Sequence, residues 1–429
     1  MNYFRQIYYE MKHQRMMTWV SISGTALAIF LVMAFVMADQ LNSVEVAPES
    51  NRSRILVASG FHVKNQKGMD SSTTGLNLDI ARKLYENLEG VEILSYINAF
   101  NDNCDVNIPG QEIFTMAPKS VDDEFWNIYD FTFIDGRPFD EAEVKSDAKL
   151  VVLTKSAARS LFGEEKVAGR EIEVDAYPFR IVGVVEDVNP LLTSSFANFY
   201  KLCNIASIKN DDPHFGSANV VMLLKEGVSP ESVKMQVENR YKMIQSELGK
   251  EGYEAVYHGQ PYTSEEVGIG GYGSNNGPDL DSHKKIQWII YSILILLPAI
   301  NLSSMTRGRL RHRVAEIGVR RAFGAKRNSI IRQIFGENLI ITFLGGMLGL
   351  LFSIIFVWLA SSMFFSMSGG ALEPSLEIVN ARPDLGMLFR WGNFFWALIF
   401  CFALNVLSAT VPAWRASKVE PAEALSFAR

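Results

Sequence analysis

The residues best equipped for chemistry are gathered in one short run, Arg313–Ala325, which reads R-V-A-E-I-G-V-R-R-A-F-G-A. Its chemistry is recognition and not bond-making. Placed on a helix, Ala315, Val319, Ala322 and Phe323 fall at i, i+4, i+7 and i+8 and form one apolar stripe. Glu316 precedes Arg320 by four residues, the favourable orientation for a helical ion pair. Gly324 is well placed as a C-terminal cap, and Lys326 and Arg327 complement the negative end of the helix dipole. Arg313, Ile317, Gly318 and Arg321 complete the charged, glycine-punctuated surface. The stripe buries against a partner protein or against the ends of neighbouring membrane helices. The alternative is a basic loop lying on acidic lipid headgroups.

Other chemistry is poorly served. The six histidines are scattered (His13, His62, His214, His258, His283 and His312), and no HExxH or other ligand spacing for a metal is present. There is no serine nucleophile elbow. There is no G-x-x-x-x-G-K-[ST] phosphate loop, so the chain is not expected to bind ATP or magnesium itself. The apolar runs hold no acidic residue of the kind that marks ion-coupled transport, and Glu337 lies only at the edge of one. These features argue against an enzyme, a channel and a secondary transporter, and no nucleic-acid partner is expected.

The elements that must position Arg313–Ala325 are membrane helices. Four uncharged runs, Thr18–Ala38, Ile286–Met305, Asn338–Met367 and Trp391–Trp414, are long enough to cross a bilayer, which takes about 20 mainly apolar residues. Basic residues cluster before the first run, after the second and after the fourth, which places both termini and the segment 306–337 in the cytoplasm by the positive-inside rule. Residues 39–285, with an acidic excess of about 15, and the short loop 368–390 then lie outside. A cleaved signal peptide is the competing reading of the first run, but the run exceeds the ~7–15 residues of a signal core. Gly345 and Gly349 in the third run, and Gly24 and Ala28 in the first, are spaced for close helix approach. That approach serves packing within the chain or pairing with a second copy. Pro298 removes a backbone donor from the second run and kinks it, for structure alone or as a hinge.

The external region reads as α+β. Arg54–Ala58, Asn77–Leu88 and Val91–Ser95 form a strand–helix–strand unit, and Asn219–Leu224, Pro230–Leu248 and Tyr253–Tyr257 form another. Between them, Ser120–Tyr129 is expected as a helix, Lys149–Thr154 as a strand and Ser156–Phe162 as a helix. Glu171–Asp175 and Phe179–Glu186 are expected as a hairpin turning at Ala176-Tyr177-Pro178. We expect the outer units to pair into one subdomain and the middle block to form a second. Gly268–Pro278 is too polar and glycine-rich to fold alone and reads as a loop, with a substrate-gripping role as the alternative. Cys104 and Cys203 either pair or stand as isolated buried thiols.

Three blocks, in order, resemble the permease subunits of MacB/FtsX-type ABC transporters. One is cytoplasmic: Asn301, the run Arg313–Ala325, Gln333-x-x-x-Glu337 and Gly345-Gly346-x-x-Gly349. One is external: Asp135-Gly136-Arg137-Pro138-Phe139, Val151–Leu153, Ala157-x-x-x-Leu161-Phe162-Gly163, Gly169 and Phe179-x-Ile181-Val182-Gly183-Val184. One is C-terminal: Pro412-Ala413-x-x-Ala416-Ser417-x-x-x-Pro421-x-x-Ala424-Leu425. His312 departs from the glutamate usual in the family before Arg313, and Pro298 from a small residue.

The resemblance implies an α-helical membrane protein of the bacterial inner membrane. It has four transmembrane helices and a large α+β periplasmic core domain of two subdomains between helices 1 and 2. It implies that Arg313–Gly324 is a coupling helix seated in a groove of a separate ABC ATPase, which binds the ATP and magnesium. A second permease chain, identical or related, completes the assembly, with a membrane-fusion adaptor and an outer-membrane channel as further expected partners. The function implied is mechanotransmission for export of drugs, antimicrobial peptides or other periplasmic substrates. The family also holds regulatory complexes that activate a cell-wall hydrolase, lipoprotein extractors and peptide sensors.

Overall fold

Apolar periodicity sets most of the elements. The computed structural model describes residues 15–40, 45–60, 62–65, 70–72, 75–189, 192–208, 216–250, 252–256, 258–269, 277–294, 296, 323–324, 327–367, 392, 394–396, 398–399 and 402–403. The chain divides into two compact units. One contains residues 1–40 and 284–360, and the other contains residues 41–283.

In the first unit, α1 (Arg15–Gln40) contains the expected first span, and a long helix (Arg327–Met367) contains the expected third. Both are long and apolar enough to cross a membrane, over Thr18–Met37 and Phe335–Phe356. The long helix starts well before the expected Asn338, because Arg327–Glu337 holds no proline and its one glycine, Gly336, is tolerated within the helix, although its charges end the apolar run. Residues 280–294 are helical, and Phe35 meets Tyr291 edge-to-face at 5.0 Å. The rest of the second span, the loop 368–390 and most of the fourth span lie outside the described residues.

In the external unit the strands are β1 (Ile55–Ala58), β2 (His62–Asn65), β3 (Asp70–Ser72), β4 (Val91–Asn98), β5 (Cys104–Asn107), β6 (Phe114–Met116), β7 (Pro118–Val121), β8 (Phe133–Gly136), β9 (Leu150–Thr154), β10 (Glu171–Val174), β11 (Tyr177–Val185), β12 (Phe199–Leu202), β13 (Ala218–Leu224), β14 (Tyr253–Val256) and β15 (Tyr262–Thr263). Twelve of them form one sheet in the order β15-β1-β13-β4-β7-β12-β9-β11-β10-β5-β6, with β8 also on β11. The helices are α2 (Leu78–Tyr85), α3 (Phe125–Ile128), α4 (Glu141–Lys145), α5 (Lys155–Phe162), α6 (Pro230–Lys250) and α7 (Ser264–Ile269). The long helix Arg327–Met367 is α8.

The outer units do pair: β1 and β4 both flank β13, and α2 and α6 cover them through Ile80, Leu84, Val233, Val237 and Tyr241. The middle block, however, continues the same sheet. The ladder narrows where a subdomain boundary was expected. β4 registers with β13 from Asn98 to Val91 but meets β7 at the single pair Ile97↔Val121. A core of Val57, Val121, Phe125, Tyr200, Val221 and neighbours runs beneath both sides of that joint.

Three local expectations are corrected. Ser120–Tyr129 is not one helix: residues 118–121 pair in parallel with β12, and only Phe125–Ile128 is helical. Lateral backbone pairing in the sheet outweighs the local capping signal. Asp122 bridges β4 and β7, accepting from Ser95 Oγ (2.6 Å), Tyr96 N (2.7 Å) and Phe125 N (3.1 Å). Burial pushes its carboxyl up to about 6 against the pull of those three donors. The hairpin turns at Asp175-Ala176, both at positive φ (51° and 65°), which leaves Tyr177 and Pro178 in β11. Positive φ at both central residues fits a tight turn to the twist of its strands. Tyr253–Val256 stays in the core of its expected unit, with Ala255 packed beside Val237 and Tyr241, but it pairs with β2 in a separate three-stranded sheet.

Cys104 and Cys203 are both free and buried, in different cores. Burial raises the thiols to about 12 and about 11, so neither is a ready nucleophile. Of the expected loop Gly268–Pro278, Gly268 and Ile269 end α7, and residues 270–276 lie outside the described residues.

Candidate coupling site and the anchorage of the external domain

Residues Arg313, Glu316, Ile317, Gly318, Arg320, Arg321 and Ala322 lie outside the described residues, as does Pro298. The run is described only at its end. Phe323 is 89% exposed, and Gly324 has φ +91°, the left-handed backbone that a C-terminal cap requires. An aromatic side chain of that exposure is a feature that a partner surface can bury.

The glycines of α8 can be placed directly. A Cβ on Gly349 would stand 2.5 Å from Ala26 O and 3.0 Å from Ile29 Cβ, and one on Gly345 would stand 2.7 Å from Thr25 Cβ. Their nearest neighbours thus belong to α1 of the same chain, at Thr25, Ala26 and Ile29. Gly24 is half-buried and Ala28 buried. Gly346, between the two, approaches Leu398 Cδ1 at 2.5 Å by the same measure. Polar side chains are also buried in these helices: Thr18, Ser21 and Thr25 in α1, and Glu337, Asn338 and Thr342 in α8. Thr25 Oγ1 donates to Ser21 O at 2.9 Å, so its hydroxyl is satisfied within the helix.

At the other end of α1, the chain is fastened before it reaches β1. Asp130 N donates to Pro48 O at 2.8 Å. Glu49, 1% exposed, accepts from Ser195 N (3.0 Å) and Ser195 Oγ (2.8 Å) and faces Arg52 Nε at 3.4 Å. A buried carboxylate is tolerated only when charge-paired and hydrogen-bonded, as here. The Ser195 segment is itself held: Tyr200 donates to Ser195 O at 2.7 Å, and Lys119 Nζ donates to Thr193 O and Ser194 O at 3.1 and 2.6 Å. Desolvation lowers the Lys119 ammonium to about 8, against the attraction of Glu49.

The returning chain lies alongside. β15 pairs with β1 at Leu56↔Thr263, Ser264 Oγ donates to Arg52 O at 3.0 Å, and Lys234 pairs with Glu266 at 2.6 Å. Sequence reasoning missed Glu49, Arg52 and Ser195. Their only local signal is two charges close to a proline, and their meaning depends on a contact across 146 positions.

Residues 18–240 match the MacB-like periplasmic core domain, and residues 288–421 match the FtsX-like permease C-terminal region. The chain is 21% identical over 340 residues to the uncharacterized ABC transporter permease YknZ of Bacillus subtilis (strain 168), covering 79% of this chain and 77% of that one. It is 21% identical over 381 residues to the macrolide export ATP-binding/permease protein MacB of Mannheimia succiniciproducens, covering 88% of this chain and 52% of that protein. The chain thus spans about half the length of that MacB. Among solved structures, the periplasmic region of MacB from Actinobacillus actinomycetemcomitans is similar over 48% of this chain and 89% of that one, at 16% identity and a TM-score of 0.34.

Proposed function

Because the chain belongs to the MacB/FtsX-type family of ABC transporter permeases, we propose that it is the non-catalytic permease partner of a separate ABC ATPase in the bacterial inner membrane. The observation that carries this reading is the coupling-type run Arg313–Ala325, which lies inside the region matching the FtsX-like permease, in a chain that covers 77% of the ABC transporter permease YknZ. The ATPase binds ATP and magnesium. Its closure drags the Arg313–Gly324 helix, with Glu316 and Arg320 as the ion-paired core of the contact and Phe323 seated in the ATPase groove. Both chain termini are cytoplasmic, and a second permease chain completes the assembly. The first and second spans carry the movement to residues 39–285, which close or open on a substrate outside the membrane. Such coupling requires that ATP favour one arrangement of the external domain over the other. The name of one relative, the macrolide export protein MacB, supports export as the output. An adaptor and an outer-membrane channel would extend the route.

The test is co-purification from native membranes. Tagged chain should bring down a nucleotide-hydrolysing subunit, and Glu316→Lys should lose it while the external domain stays folded. Undiminished capture by the Glu316→Lys variant would remove the coupling assignment.

A further inference from the structure

The two stretches of chain that lead to the membrane are fastened differently: the incoming one is tied to the far part of the external sheet before it enters β1 in the near part, and the outgoing one is tied in the near part. The incoming stretch leaves α1 at Gln40 and is tied at Pro48 to Asp130, and at Glu49 to Ser195. Ser195 precedes β12, which lies between β7 and β9, in the far part of the sheet. The outgoing stretch is tied through β15 to β1, and through Glu266 to Lys234 on α6, in the near part. Between the near and far strands lies the narrow ladder β4–β7, with its single registered pair and the Asp122 bridge.

We infer that Glu49 is the positioning residue through which the first span grips the far strands, so that displacement of the first span relative to the second flexes the sheet at the β4–β7 joint. The inference rests on the proposed function, whose movement it routes to named atoms. Glu49 is suited to the task. Its carboxylate is held by a backbone and a side-chain donor from one residue and by Arg52, and the receiving segment is stiffened by Lys119 and Tyr200. A load on residues 45–49 therefore passes into a tied segment and not into a slack loop. Arg52 also accepts from Ser264 through its carbonyl, so the ion pair sits at the point where incoming and outgoing chains touch.

The test uses the full chain with its ATPase in lipid nanodiscs. Spin labels are placed on Tyr177→Cys in the far part and Met235→Cys in the near part, both largely exposed. Wild type should show a distance change on adding ATP. The double variant Glu49→Ala/Arg52→Ala, which removes both members of the ion pair together, should lose most of that change while ATPase capture and turnover persist. Leu161→Ala creates a cavity in a far core that does not contain Glu49, and this variant should keep the change. A full-amplitude change in the double variant would overturn the inference, and so would equal loss in Leu161→Ala, which would mark the effect as general loosening. If wild type shows no ATP-dependent change, or holds no ATPase, the proposed function falls and this inference falls with it.

Discussion

The seam between α1 and α8 and the core of the external sheet solve the packing problem in opposite ways. At the seam, contact depends on what is missing: Gly345 and Gly349 let α8 come within touching distance of the α1 backbone at Ala26. In the sheet, contact depends on bulk: Phe125 meets Trp126, Tyr129, Phe131 and Tyr200 with ring centroids 4.7–5.8 Å apart. The difference follows from the solvent. In a bilayer, apolar side chains gain nothing by leaving lipid, so helices associate through close approach and dispersion. In water, each large apolar side chain removed from solvent is worth about 1.5–3 kcal/mol, and size is rewarded.

The contrast is broken most severely by adding bulk at the seam. Gly349→Leu should displace α8 from α1, because the obstructing atom is a backbone oxygen that cannot rotate away. We expect loss of monodisperse protein on size-exclusion chromatography in detergent. Recovery at wild-type yield would show that the seam is not close-packed. Removing bulk from the sheet comes next. Phe125→Ala should destabilise the external unit by about 3–5 kcal/mol, read as a lowered unfolding midpoint, and a loss below ~1 kcal/mol would mean that the aromatic cluster collapses to fill the space.

The smallest of the three effects sharpens the role of polar groups in that core. The Asp122 carboxyl lies at about 6 in the folded chain, above the ~4 of an unfolded aspartate. The folded state therefore binds the proton more tightly. This contribution to stability is full below about pH 4 and is lost as pH rises through 6. Asp122→Asn should flatten that part of the stability profile. It should also cost on the order of 1–3 kcal/mol at pH 7, where the ionised carboxylate accepts from all three donors, because an amide NH₂ then faces one of the backbone N–H groups of Tyr96 or Phe125. An unchanged slope between pH 4 and 7 would place the titration elsewhere.

Legibility differed in the same way between the regions. α6 was readable from Ser229, Pro230 and the spacing of Val233, Val237, Tyr241, Ile244 and Leu248, all five of which are buried. α5 was readable too, and Gly163 closes it at φ +72°. The misreading at Ser120–Tyr129 has a physical cause. A serine followed by two aspartates looks the same whether it starts a helix or ends a strand, until the strand it pairs with, more than 70 residues away, is known. The same holds for β14, whose partner at residues 62–65 lies on the far side of the fold in sequence.

The sequence alone determined what depends on neighbours along the chain: the apolar runs, the charge asymmetry across them, the helix starts and the order of motifs that mark the family. Those are set by period, composition and spacing, all local quantities. Tertiary structure decided what depends on distant groups meeting. It spent the glycines of α8 on α1, ran the outer and middle blocks into one sheet with a narrow joint, and brought Glu49 to Ser195. Side-chain registration across such separations is fixed only when the whole core closes, because no single residue carries the energy that selects it.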